Sequence, residues 1–164
     1  MPPFILLLTP KPPPGPFQPW GQGWGIYPNL EIPPENPYPA EARFVELLGA
    51  YSKELACGAL GGVDLGEALH LWAFDRGELI FYYDSNPMYL NCPVCSYNEE
   101  GRGVEMRGVE ALAGLFGATP SRALRTWLLR RKGLGFSQEA ERLRQVLALL
   151  GYPPPPIVPG FPAS

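Results

Sequence analysis

Residues 82–95 read Tyr-Tyr-Asp-Ser-Asn-Pro-Met-Tyr-Leu-Asn-Cys-Pro-Val-Cys. The aromatic and aliphatic run from Glu78 to Tyr83 predicts a strand. Ser85-Asn-Pro87 predicts a turn, and Met88 to Leu90 predicts a second short strand that leads into the cysteines. The stretch therefore predicts a short antiparallel hairpin that ends in a tight Cys-Pro-Val-Cys turn.

The Cys92-Pro-Val-Cys95 turn has the spacing that brings two thiolates onto one zinc ion. Entered from a strand, it resembles one knuckle of a zinc ribbon, and that resemblance implies Cys92 and Cys95 as zinc ligands. The third cysteine, Cys57, and the single histidine, His70, would complete a four-ligand site with one zinc per chain. An unmetallated structural pair and a redox pair are the alternatives. Taken singly, Cys57 is typical of a core residue and His70 of a half-buried histidine with satisfied hydrogen bonds.

Residues 109–132 contain a second pattern, a short helix that stops at Gly117 and a new helix that starts at Thr119-Pro120. A hydroxyl suits the N-cap of a helix, and proline suits its first position. The pattern resembles the helix-turn-helix of DNA-binding regulators, whose second helix enters the major groove. The connection from Gly117 to Trp127 is one residue longer than is usual in that family, and a plain helical hairpin is the alternative. The resemblance implies base contacts by Ser121, Arg122 and Arg125, and phosphate contacts by Arg130, Arg131 and Lys132.

Charge is divided unevenly along the chain. Residues 1–118 carry 6 Lys or Arg against 14 Asp or Glu, a net charge of −8, whereas residues 119–164 carry 7 against 2, a net charge of +5. A basic segment of this kind favours an anionic partner, either nucleic acid or an acidic protein surface. The alternative is a solvated helix face that balances the acidic part of the same fold.

Prolines concentrate at the two ends, with 13 of 22 in residues 1–39 and 6 in residues 152–164. Since proline lacks an N–H and fixes φ, these ends predict polyproline II and turns, apart from a short strand at Phe4 to Leu8. The expected organisation is a docking arm (1–39), a single core (40–151) and a tail (152–164). A solvated linker has little use for large aromatic side chains, so the arm is expected to dock on its own core or on another subunit. The docking residues would be Phe17, Trp20, Trp24 and Tyr27.

The core reads as mainly helical. Apolar residues at helical spacing predict a helix over 40–60, and Asp64 followed by Glu67 resembles a capping box, which predicts a second helix over 65–76. A short strand at 104–106, the two helices of 109–132 and a last helix over 137–150 complete the core. The predicted fold class is α+β, mainly helical, with about five helices and a short antiparallel hairpin flanked by proline-rich extended arms.

The sequence favours a non-enzymatic binding protein. It contains no Gly-rich phosphate loop and no nucleophile motif, and thiol chemistry at Cys92 and Cys95 is the one enzymatic alternative. The first interpretation is a small nucleic-acid-binding or transcription-related protein. The second is an assembly protein of a virion or large complex, whose arms dock on neighbouring subunits. No signal-peptide pattern and no membrane-spanning run is present, so a cytoplasmic or virion-associated location is expected.

Overall fold

A computed structural model describes residues 2–87, 103–117, 120–131, 133 and 136–155 of the 164-residue chain. Within these residues the chain forms seven strands and four helices. The strands are β1 (Phe4–Leu8), β2 (Gln18–Trp20), β3 (Gly23–Ile26), β4 (Gly58–Asp64), β5 (Leu69–Asp75), β6 (Glu78–Asp84) and β7 (Glu105–Arg107). The helices are α1 (Tyr38–Glu54), α2 (Val109–Phe116), α3 (Ser121–Leu129) and α4 (Glu139–Leu149).

The strands form one antiparallel sheet in the order β2-β3-β1-β4-β5-β6-β7. Alternate residues of each strand point to opposite faces, so the sheet separates two hydrophobic layers. On one face, α1 packs on residues such as Ile5, Leu7 and Trp72. On the other face, α2, α3 and α4 pack on residues such as Leu71 and Tyr83. The result is a three-layer arrangement of helix, sheet and helices.

Helix α1 approaches the sheet at Gly61 of β4. A side chain at this position would come within 2.9 Å of atoms of Leu48 and Phe44, which are both fully buried. Glycine therefore permits the close contact between α1 and the centre of the sheet. Gly49 of α1 makes a similar contact with Phe74 of β5.

The prediction of a mainly helical core with about five helices was wrong, because the protein is built on a seven-stranded sheet. The main error falls on residues 65–76, where β5 replaces the predicted helix. The Asp64 carboxylate accepts a hydrogen bond from the N–H of Gly66 (2.8 Å), and the N–H of Leu65 donates to the carbonyl of Ala68 (2.9 Å). Gly66 has a φ of 89°. Asp64 therefore stabilises a hairpin turn between β4 and β5 and does not cap a helix.

The proline-rich N-terminal segment contributes three strands to this sheet. Strand β1 lies between β3 and β4, and its residues from Phe4 to Leu7 are fully buried. The N-terminal segment also contacts the residues that follow α4, because the indole N–H of Trp20 donates to the carbonyl of Pro153 (2.8 Å). Tyr152 packs edge-on against Phe116 of α2. Among the described residues, no helix is both long and apolar enough to cross a bilayer.

Candidate nucleic-acid interface

Helices α2 and α3 form the unit that resembled a helix-turn-helix. Helix α2 ends at Gly117, whose φ of 83° is readily adopted only by glycine. Helix α3 then buries Leu124 and Leu128 against the sheet-facing core. Because these leucines are four residues apart, they lie on one side of α3, and the opposite side carries exposed Arg122.

The C-terminal end of α3 is fixed by side chains from the sheet and from α4. The hydroxyl of Tyr83 donates to the carbonyl of Leu128 (2.5 Å). The Nη1 group of Arg142 donates to the carbonyls of Trp127 (2.6 Å) and Leu128 (3.0 Å). Since the last carbonyls of a helix lack partners within the helix, these contacts satisfy groups that would otherwise need water.

Arg142 is completely buried, which is unusual for a charged side chain. Its Nε donates to the Glu139 carboxylate (2.7 Å), which is also buried, and its guanidinium lies 4.5 Å from the centre of the Phe136 ring. Burial raises the pKa of Tyr83, although the charge of Arg142 acts in the opposite direction. Burial therefore favours the neutral hydroxyl of Tyr83, which is the form that donates to α3.

The arginine face is defined here as Arg122, Arg125, Arg130 and Arg131. Arg125 forms an ion pair with Glu110 of α2 (2.6 Å), and both side chains are largely exposed. A hydrogen bond with its own backbone, followed by the Arg125 contact, lowers the pKa of the Glu110 carboxyl. The Arg130 guanidinium lies 4.2 Å from the centre of the Trp127 ring, close enough for a cation–π interaction.

The sequence segment that contains the arginine face is cationic. Residues 111–138 contain five Lys or Arg and no Asp or Glu. The predicted base-contacting residues Ser121, Arg122 and Arg125 lie together in the first half of α3, and Arg130 and Arg131 directly follow this helix. Lys132, the sixth predicted contact, lies outside the described residues. The predicted grouping along α3 is therefore present in the fold, with the Glu110 contact as an addition that the sequence pattern did not indicate.

The four predicted docking residues contact this chain's own core. Trp20 is 1% exposed and packs edge-on against Phe4, and Phe17 packs edge-on against Tyr51. Tyr27 is buried among the residues that contact α2 to α4. Trp24 is half-buried beside the α1 layer. The side chains that suggested docking on a neighbour are therefore used within the fold.

The structure does not bring Cys57 and His70 together. His70 pairs with Val63 in the β4–β5 ladder, and Cys57 lies six residues before Val63, about 20 Å away at about 3.3 Å per residue. Zinc takes its ligands at about 2.0–2.3 Å, so these two residues do not share one ion in this arrangement. Cys92 and Cys95 lie outside the described residues, and zinc binding there stays a prediction. Within the described ranges, no group of three His, Cys, Asp or Glu residues could hold a metal ion.

His70 belongs instead to a buried charge cluster that the sequence did not indicate. Its Nδ1 contacts the Glu41 carboxylate of α1, and its Nε2 lies 3.2 Å from the Asp84 carboxylate of β6. The three residues come from three elements with no common spacing. Only the pairing of β5 with β6 and the contact of α1 with the sheet bring them together.

Comparison of the chain with protein-family models, with curated proteins and with solved structures found no match.

Proposed function

We propose that this is a non-enzymatic nucleic-acid-binding protein, related to transcription, that contacts its target through the arginine face. The observation that carries the proposal is the orientation of α3. Leu124 and Leu128 are buried, whereas Arg122 and Arg125 lie on the other sides of the helix. In such proteins, arginine supplies the phosphate contacts from which most non-specific affinity comes.

The fixed position of α3 supports this proposal. Its C-terminal carbonyls are held by Tyr83 and Arg142, and its leucines are held by the core. Side chains on a rigid element lose less conformational freedom on binding than side chains on a free segment. An α-helix with its side chains is about 10–12 Å in diameter, and the major groove, which is about 12 Å wide, admits a helix of this size. In the proposed mode, Ser121, Arg122 and Arg125 meet base edges, and Arg130 and Arg131 meet phosphates.

The experiment compares two double variants with the same net charge. Arg122→Gln/Arg130→Gln removes two cations from the arginine face. Arg43→Gln/Arg76→Gln removes two exposed cations from α1 and from the β5–β6 turn. Fluorescence anisotropy with a labelled 20-base-pair duplex at constant low salt measures the affinity of each protein. Each phosphate contact at 0.1 M salt corresponds to roughly a tenfold change in affinity.

We expect the arginine-face variant to lose roughly tenfold or more in affinity, while the control variant stays within about twofold of the wild type. Equal losses in both variants would mean that net charge alone governs binding, and no loss in either would remove the arginine face from the interface. A labelled single-stranded DNA and a labelled RNA hairpin in the same assay identify the kind of nucleic acid.

Three other predictions remain open. Zinc at Cys92 and Cys95 is tested by native mass spectrometry of protein purified without chelators, where one zinc per chain is the predicted result. Phe17, Trp20, Trp24 and Tyr27 contact the chain's own core, so they do not support the assembly alternative. A cytoplasmic or virion-associated location also remains a prediction.

A further inference from the structure

The buried cluster of Glu41, His70 and Asp84 connects α1 to the end of the sheet. Glu41 lies in the first turn of α1, His70 near the start of β5, and Asp84 at the last position of β6. The side chains are only 8%, 6% and 11% exposed, respectively. Each ring nitrogen of His70 faces one carboxylate oxygen.

The chemistry of these contacts favours the charged form of His70. A neutral imidazole donates through one nitrogen and accepts through the other, whereas an ionised carboxylate only accepts. Two ionised carboxylates on opposite ring nitrogens are therefore both satisfied only by the imidazolium, which donates through both. Burial by itself lowers the pKa of His70, but the hydrogen bonds and charges of Asp84 and Glu41 outweigh it and raise the pKa to about 9.

The other groups around His70 do not compete for these carboxylates as cations. Its neighbour across the ladder on β4 is Val63, and the Trp72 ring of β5 lies edge-on at 5.9 Å. Tyr38 of α1 and Tyr82 of β6 complete the surroundings. Burial, followed by the charge of Asp84, raises the pKa of both tyrosines, and Glu105 of β7 adds to this effect at Tyr82. Both tyrosines therefore titrate above the ordinary range of tyrosine.

The two carboxylates are not held equally. Asp84 also accepts a hydrogen bond from the backbone N–H of Asn86 (2.9 Å), and the neighbouring Ser85 hydroxyl accepts one from the N–H of Leu69 (2.8 Å). Among the described residues, the Glu41 carboxylate contacts His70. The neutral imidazole keeps one N–H, so loss of the proton from Nδ1 would cost Glu41 its donor, while Asp84 would keep the Asn86 amide.

We propose that Glu41, His70 and Asp84 form an ionic latch that holds the first turn of α1 on the sheet and releases this turn when the imidazolium loses its proton. The sign follows from the raised pKa of His70. The stabilisation is complete below about pH 6.5, the ordinary pKa of histidine, and is lost as pH rises through about 9. Over this range the contribution of His70 to the folding equilibrium constant falls on the order of 100-fold.

The protonation state can be measured directly, because His70 is the single histidine of the chain. Nitrogen NMR of the full-length protein should show both ring nitrogens protonated at pH 7.5, with titration near pH 9. Hydrogen exchange, corrected for intrinsic rates, should then show faster exchange of the first-turn amides of α1 as His70 titrates. A neutral His70 at pH 7.5 would overturn the proposal, and so would a charged His70 whose titration leaves α1 exchange unchanged.

Isosteric variants separate the latch from general alkaline effects. In Glu41→Gln and in Asp84→Asn the pKa of His70 should fall toward its ordinary value, and the loss of stability between pH 6.5 and 9 should shrink. Glu46→Gln, on the exposed side of the same helix, is the matched control and should keep both properties. If Glu41→Gln retains the pH dependence of the wild type, the latch proposal is wrong. The wild-type NMR measurement decides the question even where a variant does not fold.

Discussion

The Nη1 atom of Arg142 lies 2.6 Å from the backbone carbonyl of Trp127, so a side chain of α4 fixes the last turn of α3. The same guanidinium is held by the buried carboxylate of Glu139. The arginine face continues directly beyond this turn, at Arg130 and Arg131. A buried interaction that does not itself reach the surface therefore determines where these two cations lie.

Replacing Arg142 should destabilise the protein strongly. Arg142→Met would leave the Glu139 carboxylate buried without its cation and the α3 carbonyls without this donor. Removal of one partner from a buried ion pair typically costs about 3–5 kcal/mol in the free energy of unfolding. Urea unfolding monitored by circular dichroism measures the change.

Two further variants test the cause of that loss. Arg144→Met, on the more exposed side of the same helix, should change the free energy of unfolding by less than about 0.5 kcal/mol. The double variant Glu139→Leu/Arg142→Met should be more stable than Arg142→Met alone, because it also removes the buried carboxylate that has lost the Arg142 contact. A double variant that is less stable than the single one would show that packing, and not the lost contact between Arg142 and Glu139, causes the loss.

Replacing Glu110 should strengthen nucleic-acid binding. The Glu110 carboxylate is paired with Arg125, and a base edge must compete with it for the same guanidinium. In Glu110→Gln this competition and one negative charge are removed, so we expect affinity to rise by roughly two- to tenfold, the lower part of the range for one base contact. Anisotropy titrations measure the change, with Glu46→Gln of α1 as the charge-matched control. Equal affinity in the two variants would contradict competition at Arg125.

Two glycine substitutions should have opposite effects on stability. Gly61→Ala places a methyl group against Leu48 and Phe44 in the buried contact of α1 with the sheet, which should cost about 1–3 kcal/mol. Gly114→Ala lies in exposed α2, where an added methyl group meets no atom within 4 Å. Alanine at such a helical position should stabilise by about 0.5–1 kcal/mol. Thermal unfolding of both variants checks the sign, and stabilisation by Gly61→Ala would contradict the close contact.

Part of the fold could be predicted from the sequence. Strong local signals located α2, α3, α4, β1 and the start of α1 to within a few residues, because apolar spacing acts within one element. The helix predicted over 40–60 was too long, since α1 ends at Glu54 and β4 begins at Gly58. The edge pairing of β2 with β3 was not predicted, because Pro19 of β2 and the two glycines of β3 are residue types that are rare in strands. The β4–β5 hairpin was not predicted, because the short side chain of Asp64 can cap a helix N-terminus as well as stabilise a hairpin turn.

The candidate sites also differ in whether their residues could be grouped from the sequence. The arginine face could be predicted because its residues share one helix and the segment that follows it. The latch could not, since Glu41, His70 and Asp84 meet only through strand pairing and the packing of α1. In sequence, Arg142 resembles any other cation of an amphipathic helix. It is buried and bonded to the end of α3 only because α4 packs beside α3.

The most direct test of the central claim is the salt dependence of duplex DNA binding. The association constant is measured at salt concentrations from about 50 to about 300 mM, and its logarithm is plotted against the logarithm of the salt concentration. The two arginine–phosphate contacts proposed for Arg130 and Arg131 predict a slope of about −2, reduced by about 1 in Arg122→Gln/Arg130→Gln, which removes one of them. No measurable binding at the lowest salt, or a slope that this variant leaves unchanged, would contradict a nucleic-acid interface at the arginine face.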